Sequence, residues 1–239
     1  MTSLSVVVPA YNEEKRLPAT LDRVTAWLAG QAFEFAELIV VNDGSLDGTA
    51  ALVNSFRALH SCVRLLENPG NRGKGYSVRH GMLEARGEWV LFSDADLSTP
   101  IEDVQRLYEA AAKAAADIAI GSRALDRSLV SKHQSWLREL SGRFFNFVMR
   151  AATGLPFRDT QCGFKLYRAS AAREVFSRQQ LDGFSFDVED LYIARRLGIP
   201  AIEVPVRWAN VEGTKVSALT GLRSFTDLVR IRRAQARRH

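Results

Sequence analysis

Through the first half of the chain, short apolar runs alternate with longer segments whose apolar residues recur at helical spacing. The runs Leu4–Pro9, Leu38–Val41, Val63–Leu66, Trp89–Phe92 and Ile118–Ile120 are rich in β-branched residues and bounded by turn residues. Continuous apolarity over so few positions is the pattern of strands buried on both faces. Between them, Leu17–Leu28, Thr49–Leu59, Tyr76–Ala85 and Val104–Ala116 place their apolar side chains along one helical stripe. This order predicts an α/β fold: a mostly parallel sheet flanked by helices, joined by right-handed crossovers. Ligands gather at the carboxyl ends of the strands in such sheets. Three polar clusters fall at those ends: Asn12-Glu13-Glu14, Asn42-Asp43-Gly44-Ser45 and Ser93-Asp94-Ala95-Asp96.

The rhythm changes after Gly121. Residues 122–135 are polar and predict a mobile loop, and Trp136–Ala152 predicts a helix unusually rich in large apolar residues, with Phe144, Phe145, Phe147, Val148 and Met149. A strand at Phe164–Arg168, helices at Ser170–Phe176 and Val188–Arg196, and a strand at Ala201–Val206 follow. With no internal repeat and no Pro/Gly/Ser linker, the pattern predicts a single domain over residues 1–217, followed by a basic tail over 218–239.

Composition narrows the classes. The chain has 239 residues, 46% hydrophobic and 25% charged, which excludes disordered and collagen-like proteins. Two cysteines, Cys62 and Cys162, are too few for a disulfide framework or a cysteine-rich zinc site, and Cys162 is expected to be a packed side chain. No apolar run reaches the roughly 18 residues of a membrane span, and no secretory signal opens the sequence, so a cytoplasmic protein is expected. The net charge of +5 is concentrated at the end of the chain, in Arg223, Arg230, Arg232, Arg233, Arg237 and Arg238. The body is balanced, which argues against a nucleic-acid partner. The histidines are scattered without ligand spacing, and no nucleophile elbow is present.

Asp94 and Asp96, two apart after a strand, can converge on one cation; magnesium takes one or two protein carboxylates and fills its other positions with water and substrate phosphates. Taken alone, the same pair also describes a solvated turn with helix-capping acids. Asp43 ends another strand, where it could accept an N–H from a base or serve a turn. Asn71-Arg72-Gly73-Lys74-Gly75 is a basic, glycine-punctuated loop before a helix, suited to phosphate but without Walker spacing.

In order and separation, Val6-Val7-Val8-Pro9-Ala10-Tyr11-Asn12-Glu13-Glu14, Val41-Asn42-Asp43-Gly44-Ser45-Leu46-Asp47-Gly48-Thr49, Asn71–Gly75 and Asp94-Ala95-Asp96 resemble the signature of the family 2 inverting glycosyltransferases with the GT-A fold. Gly121-Ser122-Arg123, the run Arg158–Tyr167, Phe186-Asp187-Val188-Glu189 and Trp208 with Glu212-Gly213-Thr214-Lys215 narrow this to the dolichyl-phosphate β-glucosyltransferases, with the mannose synthases sharing the plan less closely. The resemblance implies that Pro9, Tyr11, Glu13 and Asp43 line a nucleoside pocket beside Lys74. It implies that Asp94 and Asp96 hold Mg²⁺ or Mn²⁺ on the donor diphosphate. Arg123, Arg138, Ser141 and Lys215 would meet the acceptor phosphate. The implied partners are a nucleotide sugar, with UDP-glucose first and GDP-mannose second, and a polyprenyl or dolichyl phosphate. The glucosyltransferases usually begin with a membrane-spanning helix, and this sequence shows none.

A lipid monophosphate is already largely dianionic at neutral pH, so it needs placement more than a base. A hydroxyl acceptor would require one, and Asp159, Asp187, Glu189 and Asp190 are the candidates, with Asp159 first. The expected catalytic set is therefore Asp96, Asp159 and Arg123. A sugar-1-phosphate nucleotidylyltransferase would instead need a glycine-rich basic loop where Pro9-Ala10-Tyr11 stands, and a non-enzymatic binding module would rest on the tail alone. On a helical projection of the tail, Leu222, Phe225, Leu228 and Val229 share an apolar arc flanked by Arg223 and Arg230. That arc predicts a helix lying on the membrane surface, making the protein peripheral, with Arg138, Arg143 and Arg150 as a second contact.

Overall fold

The computed structural model describes residues 1–132 and 153–211. The expected helix over 136–152, with Arg138, Ser141, Arg143 and Arg150, lies outside the described residues, as do Lys215 and the tail.

The chain begins with β1 (Ser3–Ala10), α1 (Leu17–Ala29), β2 (Phe35–Asn42), α2 (Thr49–Leu59), β3 (Val63–Glu67), α3 (Lys74–Glu84), β4 (Trp89–Ser93), α4 (Val104–Ala114) and β5 (Ile118–Ser122). Then come β6 (Val130–Lys132), β7 (Phe164–Arg168), α5 (Ala169–Phe176), α6 (Phe186–Arg196), β8 (Ala201–Pro205) and β9 (Trp208–Ala209). A seven-stranded sheet runs β3-β2-β1-β4-β7-β5-β8. Its pairs are parallel except those that β7 makes with β4 and β5.

Side chains alternate across the sheet and so feed two cores. Val7, Ile39, Val41 and Phe92 pack with Val78 and Met82 of α3, Ala172 and Val175 of α5, and Phe186 and Leu191 of α6. On the opposite face Val6, Val8, Leu38 and Leu91 pack with Leu17, Leu21 and Val24 of α1, Val53 of α2, and Val104 and Leu107 of α4. Burial on both faces is why these strands read as unbroken apolar runs.

Two features of the topology position the site. The strand order reverses beside β1, so the carboxyl ends of β1 and β4 open a crevice there. Because β7 is antiparallel, its start rather than its end lies at the same edge: Phe164 pairs with Ser93, the last residue of β4. The stretch leading into β7 is thereby delivered to the ends of β4 and β5.

The segment expected as a mobile loop over 122–135 is corrected in part. It forms a 3-10 turn at Arg127–Leu129 and the short β6, which pairs with β9. A three-residue strand held by a distant two-residue one has no periodicity to reveal it. The helix expected from Tyr76 begins at Lys74, and the one expected from Val188 begins at Phe186. Among the described residues, no helix is long and apolar enough to cross a membrane.

Candidate active site

The loops after β1 and β2 are laced together. Asn12 donates its backbone N–H to Ser45 Oγ and accepts from the Leu46 N–H at 2.8 Å, Glu13 donates to Thr49 Oγ1, and the Glu14 carboxylate accepts from the Gly48 N–H. Asn12 takes a left-handed φ of 53°, tolerable for an asparagine whose amide is so tied. Glu13 is buried, and its carboxylate accepts both Arg16 Nε and Nη2 at 2.8 Å. Pro9 and Tyr11 stand at the same strand end, partly buried.

Asp43 closes the other side of this crevice. Its carboxylate accepts from Asn68 Nδ2 at 2.8 Å, from the Arg72 N–H at 2.9 Å and from the Gly73 N–H at 2.8 Å. An ionised carboxylate offers about four acceptor positions, so Asp43 spends most of its capacity shaping the basic loop. Asn68 also accepts from His80 Nδ1 at 2.8 Å, which fixes the proton on that ring nitrogen. Gly73, with φ of 105°, makes the turn into α3 in a backbone region that other residues rarely enter. Lys74 is therefore the first helical residue, and its Nζ lies 2.7 Å from Asp94 Oδ1.

Asp94 is pinned at the end of β4 by its N–H, which donates to the Gly163 carbonyl at 3.0 Å. A Cβ at position 163 would collide with the Asp94 carboxylate, so a larger residue there would push that carboxylate from its place beside Lys74. Asp96 accepts from the Ser98 N–H at 3.0 Å. The Ser98 carbonyl in turn accepts from the Ala209 N–H, tying this turn to β9.

Arg123, directly after β5, forms a two-pronged pair with Asp159: Nε to Oδ2 at 2.7 Å and Nη2 to Oδ1 at 2.8 Å, with its own N–H donating to the same carboxylate. Its guanidinium carbon stands 5.5 Å from the centre of the Trp208 ring. The Arg158 and Asp159 N–H groups donate to the two oxygens of Glu203 on β8, at 2.9 and 2.8 Å. Arg123 holds the Asp159 carboxyl below the usual range against the opposing cost of burial. Burial raises the Cys162 thiol to about 12, so this cysteine is inert and packed, as expected.

The four acids weighed as a base are all engaged. Asp159 is committed to Arg123. Glu189 accepts from the Gln180 and Leu181 N–H groups, and Asp187 and Asp190 face Lys165, which is fully buried. Lys165 Nζ donates to Asp187 Oδ1 and lies 3.4 Å from Asp190 Oδ2, which also accepts from the Tyr167 hydroxyl at 2.6 Å. Lys165, Tyr167 and Trp208 entered the sequence analysis only as members of motifs, with no role given to them, and Glu203 was not singled out. A lysine inside an apolar strand, matched by acids three apart at a helix start, was the available signal for the first.

The sequence matches the family description "Glycosyl transferase family 2" over residues 5–176. It is 42% identical over 225 residues to a Drosophila melanogaster dolichyl-phosphate β-glucosyltransferase, covering 90% of this chain and 69% of the relative. The Homo sapiens enzyme of that name is 39% identical, with 89% and 69% covered, and the Saccharomyces cerevisiae one 34%, with 97% and 74% covered. In structure, the chain is similar to Mycobacterium tuberculosis glucosyl-3-phosphoglycerate synthase crystallised with Mn²⁺, UDP and glucosyl-3-phosphoglycerate. The TM-score is 0.67 at 19% identity, with 96% of this chain and 80% of that one covered. Mannosyl-3-phosphoglycerate synthase from Rubrobacter xylanophilus gives 0.66 at 16% identity, covering 99% and 74%. These structural likenesses establish the mostly parallel GT-A type architecture.

Proposed function

The chain belongs to glycosyl transferase family 2, and we propose that it transfers glucose from UDP-glucose to dolichyl or another polyprenyl phosphate, with inversion at the anomeric carbon. The observation that carries this reading is the meeting, at one edge of the sheet, of the Asp94/Asp96 turn with the Arg123–Asp159 pair. The names of the relatives supply the sugar and the lipid.

The donor site takes shape first. Pro9, Tyr11 and Glu13 flank the nucleoside, Asp43 sets the curve of the loop beneath it, and Lys74 stands over the diphosphate. Asp94 and Asp96 suit a hard divalent ion, Mg²⁺ or Mn²⁺, because both are oxygen donors held at one turn and partly open to solvent. The two carboxylates would hold the ion, and donor phosphates and water would complete its shell, as is usual for magnesium. Bound there, the ion supplies Lewis-acid neutralisation of the leaving diphosphate.

Arg123 orients the acceptor phosphate. Two of its donors are occupied by Asp159, which leaves the remaining Nη face of a rigid fork for an anion. A phosphate dianion held this way attacks without a base, consistent with four acids that are already committed to other partners. Arg138, Ser141 and Lys215 remain proposed companions of Arg123, and the basic stretch over 218–239 is proposed to bring the protein to the lipid surface.

Nucleotide release tests the reading, with UDP-glucose, UDP-GlcNAc and GDP-mannose each offered with polyprenyl phosphate and Mn²⁺. UDP-glucose should turn over fastest, and Asp96→Asn should lose at least about 10²-fold in kcat, the scale of removing one electrostatic contact at a developing charge. Turnover with GDP-mannose alone would overturn the sugar assignment. Full activity in EDTA would overturn the role given to Asp94 and Asp96.

A further inference from the structure

Lys74 is expected from its loop to meet phosphate, yet its ammonium rests on a carboxylate assigned to the cation. Nζ lies 2.7 Å from Asp94 Oδ1, in a side chain that is 21% exposed against 35% for Asp94. Three aromatic rings surround it: Phe92 at 5.3 Å, Phe184 at 5.8 Å and Phe186 at 5.9 Å from their centres. Asp187, one residue into α6, is near enough to act on the same ammonium by its charge. The Phe186 ring also lies 5.6 Å from the ammonium of Lys165, which is paired with Asp187. Lys74 thus has Asp94, partly exposed at the strand end, as its direct partner, while the other acid whose charge reaches it, Asp187, is buried and already paired.

An ammonium and a divalent cation repel each other strongly, and a poorly solvated pocket sharpens that conflict. We propose that Lys74 is a built-in counter-ion at Asp94, which it yields only when a divalent cation enters together with a nucleoside diphosphate whose phosphates receive the ammonium. This rests on the reading of Asp94 and Asp96 as the cation-binding pair. A cation arriving alone must displace Lys74 toward Asp187, which Lys165 already occupies. A cation arriving with the diphosphate leaves Lys74 with a new anionic partner. Cation and nucleotide therefore strengthen each other's binding, and by linkage the coupling is the same from either side. In the absence of donor, the ammonium keeps Asp94 charge-balanced and in place at the end of β4.

Mn²⁺ titrations followed by electron paramagnetic resonance, with and without UDP, test this without turnover. In the wild type, UDP should tighten Mn²⁺ binding about tenfold or more, inside the usual range for coupled sites. Lys74→Met should bind Mn²⁺ alone several-fold more tightly than the wild type, with the effect of UDP reduced to a few-fold. Lys74→Gln should behave as Lys74→Met, which separates loss of charge from a packing fault, and Lys74→Arg should stay near the wild type. If the Met and Gln variants bind Mn²⁺ alone no more tightly than the wild type, the counter-ion role is wrong while the cation pair stands. Unchanged binding in Asp94→Asn, or no binding by any form even with UDP, overturns both.

Discussion

Asp159 accepts three hydrogen bonds from Arg123, and Glu203 grips the backbone on which it sits. The carboxyl is 3% exposed and held below its ordinary range, whereas a general base works best when poised near the operating pH. We therefore read Asp159 as a positioning residue for Arg123 in the proposed reaction. Arg123→Ala should raise the KM for the lipid phosphate by ten-fold or more, roughly the worth of a charge-assisted bond, while leaving donor Kd within a few-fold. Asp159→Asn keeps the shape but weakens the grip, so its defect should also fall on acceptor KM. Steady-state kinetics with varied acceptor, beside calorimetry with UDP, separate the cases. A collapse of kcat in Asp159→Asn at unchanged acceptor KM would instead make Asp159 the base for a hydroxyl acceptor.

At the scale of elements, β7 and α6 are braced by the Lys165, Asp187, Asp190 and Tyr167 cluster. All four are buried. The α6 start also places Asp187 and Glu189 in its first turn, where the helix dipole favours acids, and Arg195 and Arg196 in its last. Burial raises Asp190 from the ordinary 3.8 to about 7, against the pull of Lys165. The folded chain then keeps a proton that the unfolded chain has released. Its contribution to stability is full below the ordinary value and is lost as pH rises through about 7. Between pH 5 and pH 8, wild-type stability should thus fall by more than that of Asp190→Asn, which has no such proton. Urea midpoints at the two pH values give the comparison, and equal slopes would mean that Asp190 is ionised in the fold throughout.

For the whole molecule, the proposed acceptor is an insoluble lipid, while no described helix can span a bilayer. The last 19 residues hold six arginines against Asp227, beside the apolar set Leu222, Phe225, Leu228 and Val229. Each cation near an anionic surface contributes about 1 kcal/mol, enough in sum for reversible, salt-sensitive attachment. The protein should sediment with phosphatidylserine vesicles at low salt and release near about 0.5 M, where exposed charges are screened. Deletion of 221–239 should abolish sedimentation. Equal binding by the truncated chain would shift the anchor to the segment 136–152.

The alternation of apolar runs and helical stripes determined the α/β architecture, because strands buried on both faces and helices buried on one leave different periodicities in the sequence. The order and chemistry of the loops also pointed to the candidate site: Asp43, Lys74, Asp94 and Asp96 each follow a strand, and the fold sets them at the strand ends where such sheets gather ligands. Register and pairing across long separations were decided only in three dimensions. Nothing local tells that β7 runs antiparallel, yet that reversal brings Asp159 to Arg123 across 36 positions and sets Gly163 against Asp94. Nor does spacing reveal that Lys74 rests on Asp94, that Lys165 faces α6, or that Trp208 lies beneath Arg123. Periodicity records which face of an element is buried; the partner a charged side chain finds depends on which elements the folded sheet sets side by side.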